Sequence, residues 1–188
     1  MALPLPNALP PKLRVIPRNK INRAPSPILA TGLPWVIVML GSLSPIWPVI
    51  ASAPVMPPLG FMLLIAWRQL HPAAFPVWAG LPLGLFDDLF SGQPLGSAIM
   101  LWSLAMIGLE AIEARYPWRG FVQEWAAASG FIALYLFVAL LLAGFAGRPI
   151  PLAVLAPQLI LSILVYPLVG RLVANADRWR LIPIRVLE

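Results

Sequence analysis

From residue 24 to residue 67 the chain runs 44 residues without a charged side chain. Residues 89–109, 125–147 and 149–170 are likewise uncharged, and 69–86 carries only His71. Crossing the hydrocarbon core of a bilayer takes about 20 apolar residues, within a range of roughly 17–25. The last three runs and 69–86 therefore predict one helix each, and the first is long enough for two. Composition agrees: 11% of residues are charged, 60% are hydrophobic, and the mean hydropathy is +0.85. A soluble domain carries about 25% charged residues, so water is excluded as the main solvent of this chain.

Proline places the break in the first run. Pro45, Pro48, Pro54, Pro57 and Pro58 crowd its middle, where fixed φ and missing N–H groups interrupt a helix. The expected helices are 28–50, 57–70, 73–90, 95–115, 120–145 and 151–173. The second is short for a span, so five spans with a re-entrant hairpin is the alternative count. The expected organisation is a disordered, Pro-rich basic tail at 1–27, a six-helix transmembrane domain at 28–175 and a basic tail at 176–188.

Lys and Arg set the expected orientation. Lys12, Arg14, Arg18, Lys20 and Arg23 precede the first helix, and Arg68, Arg115 and Arg119 lie in alternate loops. Arg171, Arg178, Arg180 and Arg185 lie at or beyond the end of the last helix, which leaves Arg148 alone on the other side. Both termini are expected in the cytoplasm. The first 27 residues lack the apolar core and small-residue cleavage site of a signal peptide. The net charge of +6 is scattered between apolar runs, which fits orientation and attraction to anionic lipids and not nucleic acid. Trp35, Trp47, Trp67, Trp78, Trp118, Trp125 and Trp179 fall mostly near expected span ends, as an interfacial aromatic belt would.

Chemistry is sparse. With no cysteine and one histidine, thiolate and histidine-cluster metal sites are excluded, and no nucleophile–base pair is evident. No metal, cofactor or catalytic residue is expected. Asp87 and Asp88, in "GLPLGLFDDLFSGQPLG" at 80–96, fall in the last turn of the third expected helix. A charged Asp at mid-membrane costs roughly 2.5–3.5 kcal/mol, but headgroups and water are within reach of a last turn. Adjacent helical residues point about 100° apart, so one Asp is expected to face the bundle and a facing acid–base pair is not. Ser91-Gly92 suits a tight turn, and Pro94 suits the start of the next helix. A carboxylate there can accept backbone N–H groups that lipid would leave unmet. Gly80-x-x-x-Gly84 suits close approach of another helix, though Pro82 interrupts it. Ala126-x-x-x-Gly130 and Ala143-x-x-x-Gly147 are weaker small-residue pairs. Glu110 and Glu113 are expected to balance Arg115 and Arg119 at the interface.

"GLFDDLFSGQPLG", 84–96, resembles the signature of the MreD family of rod shape-determining inner-membrane proteins. The matching positions are Gly84, Asp88, Ser91, Gly92, Leu95 and Gly96, while Asp87 stands where the pattern is usually apolar. A Pro-then-apolar segment, "PPLGFMLLIAWRQL", precedes the motif. The resemblance covers about residues 28–175, and the long Pro-rich N-terminus departs from it.

The resemblance implies a non-enzymatic scaffold of the cell-elongation machinery in the bacterial inner membrane. Such proteins maintain rod shape by organising lateral peptidoglycan synthesis, acting with the bitopic protein MreC, the actin-like MreB, and RodA with its penicillin-binding transpeptidase. It also implies a fold like the six-helix substrate-binding subunits of energy-coupling-factor vitamin transporters. The hairpin that carries the motif is the expected structural or docking element. A small-molecule uptake subunit is the alternative function. Against it, the first helix lacks an Ala-x-x-x-Ala contact, and few polar residues are available to build a vitamin pocket.

Overall fold

The computed structural model describes residues 23–25, 27–46, 56–116, 120–147, 152–180 and 183–186. The Pro-rich segment 1–22, the end of the first expected helix at 47–50, and Trp47, Trp118, Arg119 and Arg148 lie outside the described residues.

The described residues are mainly helical and form six α-helices: α1 Pro27–Ser42, α2 Leu59–Leu70, α3 Gly80–Phe90, α4 Ser97–Arg115, α5 Phe121–Phe145 and α6 Leu152–Arg180. Strands β1 (Arg23–Pro25) and β2 (Pro183–Val186) pair antiparallel, with Ala24 opposite Arg185. This ladder joins the two ends of the described chain. It was not foreseen from two segments that read as basic tails.

Among the described residues, three helices are long and apolar enough to cross a membrane: Ser97–Arg115, Phe121–Phe145 and Leu155–Trp179. α2 and α3 have 12 and 11 residues. At about 1.5 Å per residue each reaches less than roughly 20 Å, short of a hydrocarbon core near 30 Å.

The helix expected at 73–90 is the main correction. Its first third is two 3-10 turns, Pro72–Ala74 and Val77–Ala79, and α3 begins only at Gly80. Proline disfavours helical backbone in the residue before it. His71 (φ −139°, ψ 92°) and Phe75 (φ −126°, ψ 119°), which precede Pro72 and Pro76, are both extended. α6 departs the other way: it contains Pro157 and Pro167 and still continues to Arg180, past the expected end at 173 and the boundary at 175.

The core is centred on α2, which is apolar from Leu59 to Trp67 and buried along most of that length. Phe61, Met62, Leu64, Ile65 and Trp67 are fully buried or nearly so. α4 presents one face, Ala98, Leu101, Trp102, Ala105, Met106 and Leu109, at helical spacing. Trp67 is therefore a core residue and not part of an interfacial belt. Phe61 stacks on Tyr135 of α5, with ring centroids 4.4 Å apart, and meets Trp102 at 5.9 Å.

Candidate functional site

α3 and α4 form a closely packed hairpin, and glycine sets the spacing. A Cβ on Gly84 would sit 2.7 Å from the Ala98 carbonyl oxygen and from Ile99 Cα. One on Gly80 would lie 2.8 Å from the Ser103 backbone. The small-residue pair on α3 is thus occupied by α4 of the same hairpin, despite Pro82 between them.

The turn is equally dependent on glycine. Gly92 and Gly96 have φ of +67° and +94°, a region that L side chains rarely adopt. Gly96 occupies the N-cap position of α4 and has no side chain to satisfy the first turn. Asp88 does this from the neighbouring helix. Its carboxylate accepts Gly96 N–H and Ala98 N–H at 2.8 Å each, and Ile99 N–H at 3.3 Å. The donors of Ala98 and Ile99 are those that a helix's own N-cap residue normally satisfies, and the α4 dipole adds to the attraction.

The network then leads outward. Ser97 Oγ lies 3.2 Å from both Asp88 Oδ1 and Gln93 Oε1, so its single proton is shared between them. Gln93 Nε2 donates to the Tyr135 hydroxyl at 3.3 Å, which ties the hairpin to α5. Ser91 Oγ accepts Gln93 N–H at 3.4 Å within the turn. Of the motif residues, Leu95 stands apart: it is 78% exposed.

Both carboxylates are buried, Asp87 to 7% exposure and Asp88 to 3%. The expectation that only one would face the bundle is corrected. The two residues diverge as helix geometry requires, but α3 has a neighbour on each side. Asp88 meets the start of α4, while Asp87 faces Ser42 at the end of α1.

Asp87 also lines a cavity of about 330 Å³ between the α2 N-terminus, the hairpin turn, α5 and α6. Ser91, Gln93, Tyr135 and Gln158 contribute its other polar groups. Gln158 is fixed by donating its Nε2 to the Met56 carbonyl at 2.8 Å. The apolar wall comes from Leu136, Ala139, Leu140 and Ala143 on one face of α5, and from Leu155 of α6. The paucity of polar residues thus did not prevent a partly polar cavity, because helices distant in sequence each supply one or two. Ala143 points here, and its expected partner Gly147 (φ +75°) lies in the turn beyond α5, so they are not a helix-face pair. A Cβ on Gly130 would meet nothing within 4 Å.

A second polar constellation, at the opposite end of α2, was not legible in the sequence. Arg68 is buried. It donates Nη1 to the carbonyls of Pro72 (2.5 Å) and Phe75 (2.7 Å), and Nη2 to Glu113 Oε2 (2.9 Å). Glu113 was expected to balance Arg115 and Arg119; among the described residues it pairs with Arg68, a contact that crosses from α4 to α2. Nearby, His71 Nε2 is 2.8 Å from Asp177 Oδ2 of α6. The Tyr166 hydroxyl donates to Gln69 Oε1 at 2.7 Å, and Gln69 Nε2 donates to the Glu124 carbonyl at 3.0 Å. The signal available was the proline pair 72 and 76, which breaks the helix and leaves carbonyls for a nearby cation to satisfy. Among the described residues, no three metal-ligating side chains come together.

Comparison with family models, with characterised proteins and with solved structures gives no match.

Proposed function

We propose that this chain is a non-enzymatic scaffold of the bacterial inner membrane that helps maintain rod shape. In this reading it resembles the MreD family and organises lateral peptidoglycan synthesis through helix–helix contacts with an MreC-type protein, MreB, and RodA with its transpeptidase. All six helices lie within the bilayer, α2 and α3 as short elements shielded by the longer ones, and both termini face the cytoplasm. The fold is then of the kind found in energy-coupling-factor substrate-binding subunits.

The observation that carries the reading is the role of the motif residues in the α3–α4 hairpin. Gly84, Asp88, Gly92 and Gly96 act together as a close contact, a cross-helix cap and two left-handed turn positions. Such a hairpin is rigid, and a rigid hairpin suits recognition. Since the polar motif residues are engaged internally, the partner's contact falls on the outer face. Leu81, Leu85 and Leu89 form an exposed stripe on α3 at four-residue intervals, continued by Leu95. In lipid, association of such a face is driven by packing and not by hydrophobic exclusion.

A second reading, a small-molecule uptake subunit, draws on the cavity beside Asp87. Purification of the tagged protein from its native membranes in mild detergent, with mass spectrometry of what accompanies it, separates the two. An MreC-type protein with the wall-synthesis pair is the expected result. Paired ATPases with a membrane coupling protein would overturn the scaffold reading in favour of uptake.

A further inference from the structure

Asp87 is more than nine-tenths buried and lines the cavity, so water solvates its carboxylate poorly. The Ser42 hydroxyl faces it but has no partner in hydrogen-bonding geometry. Asp88, its neighbour, is fully engaged by the α4 N-terminus. No Lys, Arg or His is among the described residues that line the cavity, and the buried Arg68 is committed to Glu113 and two carbonyls at the other end of α2. A buried carboxylate is stable when paired, and none of the described residues that line the cavity supplies a cation.

The remaining lining narrows the chemistry of a ligand that would. Gln158 spends its amide nitrogen on Met56, which leaves a carbonyl oxygen to accept. A carboxylate that shares its cavity with this acceptor, and with hydroxyls that can accept as well as donate, suits a primary ammonium, which has three donors and no acceptor. The opposite wall, Leu136, Ala139, Leu140 and Ala143, is apolar, and its two alanines make room. At about 330 Å³ the space is of small-ligand size. We propose that the cavity binds the primary ammonium of an amine-bearing amphiphile, the Asp87 carboxylate pairing with the ammonium while the apolar α5 wall takes the adjoining chain. The nearest source of that chemistry in a bilayer is an aminophospholipid headgroup; a free alkylamine is the soluble source.

The test uses the full chain in mild detergent. Native mass spectrometry with phosphatidylethanolamine or phosphatidylcholine measures lipid retention, and thermal unfolding with added ethanolamine measures binding of the soluble amine. Phosphatidylethanolamine should be retained at least tenfold better than its trimethylated counterpart, which has no N–H, and Asp87→Asn should bring the ratio near one. Ala143→Phe, which fills the cavity from its apolar side and leaves Asp87 in place, should do the same, and serves if the Asp87 variant does not fold. Ethanolamine stabilisation that depends on Asp87, without lipid selectivity, would support the ammonium site and assign it to a soluble amine. Equal retention of both lipids with no effect of ethanolamine, or selectivity that survives both substitutions, would overturn the proposal.

Discussion

Asp88 and Ala98 are joined by a 2.8 Å hydrogen bond from a backbone N–H of α4 to a carboxylate on α3, ten residues earlier. The bond is tertiary in geometry and local in sequence, so the hairpin's closure is written within ten residues of chain. With Gly96 and Ile99 donating to the same carboxylate, several orphan amides of α4 depend on one side chain.

Asp88→Ala should therefore destabilise the protein by about 2–4 kcal/mol, combining loss of a cap with buried donors left unmet. Asp87→Ala removes a carboxylate that carries no such load and should change stability by less than about 1 kcal/mol. Reversible unfolding in mixed detergent micelles measures both. In a cell-shape complementation assay the same order should appear, with Asp88→Ala the more damaging. Equal tolerance of the two changes would remove Asp88 from its place in the motif.

Gly84→Ala should cost about 1–3 kcal/mol, because its methyl group would meet the Ala98 carbonyl oxygen and Ile99 Cα at 2.7 Å and force the helices apart. Gly130→Ala, where the space is open, should be neutral or slightly stabilising, since alanine favours helix by about 1 kcal/mol. The same unfolding assay distinguishes them.

Arg68→Lys should fail nearly as badly as Arg68→Ala. A guanidinium presents several fixed donors to Pro72 O, Phe75 O and Glu113, and an ammonium is a single point charge that cannot hold that fork. Breaking a buried pair from one side costs about 3–5 kcal/mol. Arg68→Met with Glu113→Leu should recover part of the loss, measured as a double-mutant cycle on the unfolding midpoint.

The chain contains no cysteine, so Ala24→Cys with Arg185→Cys gives a clean cross-link test of the β1–β2 ladder. These residues are register partners, and directly opposed Cα atoms lie within disulfide range. Mild oxidation should close the bridge in the monomer, whereas Ala24→Cys with Val186→Cys, whose register partner is Arg23, should cross-link poorly.

The sequence by itself determined the solvent and the helical class. Uncharged runs of 21 residues and more have few other ways to satisfy their backbone in a chain so poor in charge. It also determined the hairpin turn, because Asp88, Gly92, Pro94 and Gly96 act within a dozen residues of one another. Tertiary structure decided what that local pattern could not carry. Pro72 and Pro76 were visible, but prolines 157 and 167 are absorbed into α6, and only the fold shows that the 72–76 break is the one whose freed carbonyls are met by Arg68. The burial of both aspartates required α1 on the far side of α3, and the Arg68–Glu113 pair joins residues 45 positions apart. The cavity likewise gathers its polar groups from separate helices. Local backbone preference acts over a few residues and can be read along the chain; the environment of a buried charge is set by whichever helices pack against it.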